Sequence, residues 1–249
     1  MVTRPECRPE LLTTIFLVIT TLPLAAQQPS TPGPAVKNLL PAGSFVFDPG
    51  AIRPTPIDAF NKRPVVKSPD GNLGVTVTGP EKSYEAWATI SPSTFPDGPV
   101  QVWPLQASAD VLWRPDSRAF ALTDYRYANL SYVLVCGTEF RMGESGEGLG
   151  IQISDLTPVV RTAFAEKARK YYQTGNYETR LFYAWVLRWT GNDDLLVFVS
   201  ARTFGPPTFP NQGQNEWDFA YVVDVSNKTV VRELEKEQLL SEYEIKVPH

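Results

Sequence analysis

Three carboxylates, Glu139, Glu144 and Glu147, sit among five glycines in the stretch 137–150. Carboxylates on so permissive a backbone are suited to hold a hard cation or to move protons as general acids and bases. Their spacing matches no EF-hand loop, so the expectation is a solvated glycine-rich loop that offers the three acids for binding, with no metal site and no cofactor. Taken with Asp124, Glu139 and Glu144 are also the first candidates for a carboxylate-dependent hydrolase acting on extracellular glycans, a chemistry that needs no histidine. A second stretch, 203–216, carries Phe204, Pro206, Pro207, Phe209 and Pro210. It is longer than the usual hairpin connection, which marks Phe204 and Phe209 either as partner contacts or as packed surface rings.

Nucleophilic mechanisms find little to work with. His249, at the C-terminus, is the only histidine, and a Ser-His-Asp or Cys-His arrangement needs an imidazole held by its neighbours. Zinc chemistry through two or three imidazoles is excluded. The run 143–148 imitates a nucleophile elbow, but Glu147 stands where that turn requires glycine, and no phosphate-cradling G-x-x-x-x-G-K-[ST] occurs. No catalytic residue is assigned.

The compartment is read from the first 26 residues. Arg4 and Arg8 precede an apolar run from Leu11 to Ala26 that closes on the small residues Ala25 and Ala26. That is the order of a secretory signal peptide, with cleavage expected after Ala26. A spanning helix needs roughly 20 mostly apolar residues, and this run is shorter, holds four threonines and contains Pro23. Cys7 precedes the apolar run, so no lipid attachment and no permanent membrane anchor is expected. The protein is expected to be periplasmic or secreted.

Removal of the leader leaves Cys136 as the remaining cysteine, so no intrachain disulfide forms and the core alone holds the domain. In the apolar run Tyr132–Cys136, it reads as a buried strand residue. The two arginines and two glutamates of the leader cancel, so the mature charge equals that of the whole chain, −4. Without a basic cluster to displace counterions, nucleic acid is not an expected partner.

Residues 27–60 are rich in proline and small side chains and read as a lead-in or linker, with Ser44–Phe47 able to pair as an edge strand. From residue 61 to 249 the pattern is β: short runs of Val, Tyr, Phe, Trp and Thr, broken by Pro, Gly, Asn and Asp. Expected strands include Glu85–Ile90, Val100–Leu105, Leu130–Cys136, Phe219–Val225 and Thr229–Leu234. Arg180–Trp189 alternates, placing Leu181, Tyr183, Trp185, Leu187 and Trp189 on one face as core. One surface helix is expected at about 158–172, with Thr157 as N-cap, Pro158 at the first helical position, Val160, Phe164 and Ala168 buried, and Gly175 ending it.

Three segments repeat a turn followed by an apolar strand. They begin at Ser68-Pro69-Asp70-Gly71, at Arg114-Pro115-Asp116-Ser117 after Trp113, and at Thr190-Gly191-Asn192-Asp193 after Trp189. Proline presets φ at the second turn position and Asp bonds its own backbone two residues on, so each is a hairpin turn and the three aspartates are architectural. The first two turns lie about 46 residues apart, close to one four-stranded blade. Here the chain resembles the TolB-like family of β-propeller repeats, whose blades open with tryptophan or an apolar residue, then Ser-Pro-Asp-Gly, then an apolar strand. The third copy lacks the proline. The resemblance covers 61–136 and 178–234 and implies antiparallel blade-like sheets of a small or incomplete propeller. Family members serve mostly as protein-binding platforms or as companions to catalytic domains. The resulting expectation is a non-enzymatic exported binding or scaffold protein whose partner is a protein or an extracellular polymer, with the glycan hydrolase as the alternative.

Overall fold

A computed structural model describes residues 52–58, 64–80, 86–93, 99–127, 130–143, 146–173, 176–191, 193–206 and 214–247. Residues 1–26, read above as a leader ending at Ala26, the patch Ser44–Phe47, Glu144, Gly175, Phe209 and His249 lie outside them. Every described residue falls in the unit Leu40–His249, as distinct from Met1–Leu39.

The fold is mainly β. β1 (Thr55–Asp58) is followed by β2 (Val66–Lys67), β3 (Leu73–Thr78), β4 (Ala86–Pro92) and β5 (Val100–Leu105), and β2–β5 form an antiparallel meander in its own sheet. β6 (Ser108–Trp113), β7 (Ala119–Tyr127), β8 (Leu130–Gly143) and β9 (Gly146–Asp155) form a second. After α1 (Thr157–Tyr172), a third comprises β10 (Glu178–Trp189), β11 (Asp194–Phe204), β12 (Gln214–Asp224) and β13 (Thr229–Glu235). α2 (Lys236–Tyr243) follows.

Period-two alternation makes the strands of the second meander two-faced. Val111, Trp113, Phe120, Leu122, Leu134 and Cys136 pack with Leu73, Val75, Ala88 and Ile90 of the first meander. Leu112, Ala121, Val133 and Val135 turn the other way, onto Phe182, Val186, Val197 and Phe219 of the third, with α1 sealing the seam. Cys136 is fully buried, and burial pushes its thiol up to about 12, so it is an unreactive core residue.

The second and third meanders share one sheet through a single parallel pair, Leu130 with Phe182. Beyond that point β10 leaves β8, and side chains meet its orphaned amides. The Ala184 N–H donates to Ser131 Oγ at 2.7 Å and the Val186 N–H to Thr123 Oγ1 at 3.0 Å. Both hydroxyl residues are fully buried, as a satisfied interior amide requires.

The structure departs from the sequence reading in several places. The stretch read as a lead-in ends in a strand: β1 pairs with β6, and Ile57 is fully buried. Residues 137–150 are not a loop but most of a hairpin, in which β8 and β9 pair without a break from Leu134–Asp155 to Gly143–Gly146. The glycines weaken local strand preference, but Leu149 and Ile151 repay the pairing by packing on the first core. The 203–216 loop is shorter than expected, since β11 runs to Phe204 and β12 starts at Gln214. A register shift between Val186 and Arg188 turns Trp189 away from Tyr183, Trp185 and Leu187, so it packs with Val186 and Leu195. Finally, α2 carries a Glu235–Gln238 capping box, absent from the sequence reading, and buries Leu239 on the far face of the third meander beside Ile245 and Val247.

α1 matches expectation in extent and in its buried stripe of Val160, Phe164 and Ala168, but Thr157 is not its cap. Leu156 occupies that position, Asp155 Oδ1 accepts the Thr157 N–H at 2.8 Å, and Thr157 Oγ1 accepts the Val133 N–H at 2.9 Å. The threonine ties the helix to β8. Thr157→Val keeps the volume and leaves that buried amide without its acceptor, so about 1–3 kcal/mol should be lost in urea denaturation. No change in midpoint would mean that the tether contributes nothing.

Candidate functional site

The three repeated turns come together at one end of the sheets. In the first, the Ser68 N–H donates to Leu73 O at 2.9 Å, the Gly71 N–H to Ser68 O at 2.9 Å and the Asn72 N–H to Asp70 Oδ1 at 3.0 Å. In the second, the Arg114 N–H donates to Ala119 O at 2.8 Å, the Ser117 N–H to Arg114 O at 3.0 Å and the Arg118 N–H to Asp116 Oδ1 at 3.0 Å. The fourth position is left-handed in both: Gly71 has φ 75°, and Ser117 takes φ 63° despite its side chain. Lacking the proline, the third turn closes one residue earlier, with the Thr190 N–H on Asp194 O at 2.9 Å.

Neighbouring turns are bonded to each other. The Asp70 N–H donates to Ser117 Oγ at 3.0 Å, and Arg114 Nη1 to Asp193 Oδ1 at 3.1 Å. The tryptophans before the second and third turns reach back in the same sense: Trp113 Nε1 donates to Val66 O at 2.9 Å and Trp189 Nε1 to Leu112 O at 3.3 Å. Asp70, Asp116 and Asp193 are thus committed to the turns. The Ser68 hydroxyl and the Asn72 amide hold the Asp70 carboxyl below the usual carboxylate range.

Beside the turns lies an open groove of about 900 Å³. Its floor is the face of the second meander, where the small residues Ala119 and Gly137 stand opposite each other on β7 and β8. A Cβ placed on Gly137 would meet nothing closer than 3.8 Å, so the space above it is open. Asp70, Asp116, Arg118, Gln152 and Lys228 line the walls, giving charges of both signs held by turns and strands. Such a surface suits an extended polar segment.

Of the five binding residues read from the sequence, the groove takes in Glu139, exposed on β8. Glu147 belongs to β9 opposite Met142. Phe204 closes β11 at the far end from the turns, under the Arg180 guanidinium at 4.3 Å. Ten residues of strand separate it from Asp194 beside the third turn, roughly 33 Å at about 3.3 Å per residue. Phe204 therefore lies away from the groove.

The carboxylates offered for hydrolysis are likewise apart. Asp124 pairs with Tyr132, seven residues along β8 from Glu139, roughly 23 Å. Paired glycosidase carboxyls sit about 5–9.5 Å apart. Asp124 is instead fully buried, accepting from Trp103 Nε1 at 2.8 Å with Arg126 Nε at 3.2 Å, and burial raises its pKa against both. Arg126 lies over the rings of Trp103 and Tyr132 and donates to Pro104 O at 2.6 Å, which makes the cluster a clamp between the first two meanders.

Arg118, Gly137, Gln152 and Lys228 were not singled out by the sequence. Gln152 belongs to a strand hidden by glycines. Lys228 rides a two-strand turn whose place beside Gly137 depends on how the second and third meanders stack. No protein-family model, curated protein or solved structure matches the chain. What the groove can do follows from its chemistry.

Proposed function

We propose that this chain is an exported, non-enzymatic binding or scaffold protein, periplasmic or secreted, that seats a protein or extracellular polymer in the groove beside its turns. The observation that carries the reading is the convergence of turns from three meanders on one polar groove, because binding groups are characteristically carried on connections fixed by a rigid scaffold. The leader ending at Ala26 supports export. In this reading the three meanders are blades of an incomplete TolB-like β-propeller. Face-to-face packing, turn bonds shared between neighbours and tryptophans that each reach the preceding unit support it.

Gly137→Phe tests the site. A Cβ at 137 makes only ordinary contacts with Gln152 and the ring would project into the open groove, so the fold should persist while the groove fills. A partner retained by the wild-type protein from envelope or secretome extract should be lost with the variant, its thermal unfolding unchanged. Equal capture by both proteins, or capture of nothing by either, overturns the proposal.

A further inference from the structure

We infer that the groove takes its partner as an added β-strand: an extended peptide with alternating acidic and aliphatic side chains, paired along the outer edge of β9. The inference rests on the groove being the binding face. Among the described residues β9 pairs with β8 and with no strand on its other side. The Leu156 N–H donates to Val133 O at 2.9 Å, which sets the phase of the ladder. By the alternation of an antiparallel pair, the amides of 150, 152 and 154 point to β8 and those of 149, 151 and 153 point outward. Residues 146–155 contain neither lysine nor proline, two devices that protect free edges.

The two faces of β9 specify the guest. Gln152 and Ser154 line the groove, whereas Leu149 and Ile151 pack on the first core and Ile153 is 40 % exposed. A strand laid beside them continues both faces, since its alternate side chains point to opposite sides. Those beside Leu149, Ile151 and Ile153 extend an apolar surface and are aliphatic. Those beside Gln152 and Ser154 enter the groove, where Arg118 and Lys228 line the walls and Asp70 and Asp116 are already engaged in their turns. Lys228, held at φ 53° on the β12–β13 turn, makes no ion pair among the described residues. Glu139 sits one rung higher, opposite Gly150, so the acidic side chains belong beside 152 and 154 and not beside 150.

The test is fluorescence polarisation of a labelled, end-capped peptide alternating aspartate and isoleucine, read against the full chain, with a lysine-isoleucine peptide as control. The acidic peptide should bind and the basic one should not. Ile153→Pro removes an outward amide while leaving the bonds to β8, and should weaken binding at least tenfold. Lys228→Glu should weaken it comparably and reduce its salt dependence. Hydrogen exchange on the wild-type protein gives a readout independent of variants: peptide should slow exchange at 151 and 153. Equal binding by wild type and Ile153→Pro, equal binding of both peptides, or unprotected 151 and 153 amides overturns the inference. So does protection of that edge by a second copy of the chain. If the peptide fails but Gly137→Phe still abolishes partner capture, the groove stands and the strand-addition mode falls alone.

Discussion

Phe164→Ala should cost about 3–5 kcal/mol of stability and loosen α1 from the sheets. The ring is 2 % exposed and touches three others: Phe182 at 5.5 Å, Trp217 edge-on at 5.7 Å and Phe219 stacked at 6.2 Å. Each aromatic pair adds about 0.5–1.5 kcal/mol beyond its buried area. The ring anchors the body of the helix, while its N-terminal end is held by the Asp155 bond to the Thr157 N–H and by the Thr157 tether to β8. Urea denaturation measures the loss, with the exposed Arg169→Ala as a control expected within about 0.5 kcal/mol of wild type. A loss below about 1 kcal/mol for Phe164→Ala would show that α1 is anchored elsewhere.

The second large effect depends on pH. Asp110 is 5 % exposed and its carboxyl accepts from the Tyr125 hydroxyl. Burial pushes its pKa from an ordinary 3.8 up to about 6, the tyrosine bond opposing part of the rise. The native state therefore holds this proton more tightly than the unfolded chain does. The associated stability is complete below about pH 4 and is lost as pH rises through about 6, amounting to about 3 kcal/mol. Asp110→Asn keeps an oxygen for Tyr125 and abolishes the titration. The variant should match wild type near pH 4 and exceed it by up to about 3 kcal/mol at pH 8, read from urea denaturation at each pH. Parallel pH profiles for the two proteins would refute the assignment.

Local signals predicted the strands well where pattern and punctuation agreed. Val100–Leu105 is β5 to the residue, and α1 begins and ends within a residue of expectation. The turns were legible because Pro69, Pro115 and the aspartates act within a few residues of themselves. Failures came where distant packing decided. Glycines at 143, 146, 148 and 150 argue for a loop until β8 supplies a ladder to pair with. Trp189 obeys strict alternation until a bulge turns it over. The same limit applies to the groove: Glu139 was visible as a carboxylate, but Gly137 matters only as part of a floor that Lys228 helps to enclose, and that enclosure depends on how distant strands pack.

α2 has a consequence for how the molecule is put together. Stacked-unit proteins stay soluble by closing their terminal faces with an element that is apolar inside and polar outside. α2 does this in part, with Leu239 buried and Ser241 and Glu242 exposed, although Leu240 is also 55 % exposed on its outer side. A further unit arriving on the β10–β13 face as the third arrives on the second would meet this helix instead of open sheet. If the meanders are stacked blades, as proposed, the stack has an end-stop there, and a second copy would lengthen it from that side only by first prising the helix away.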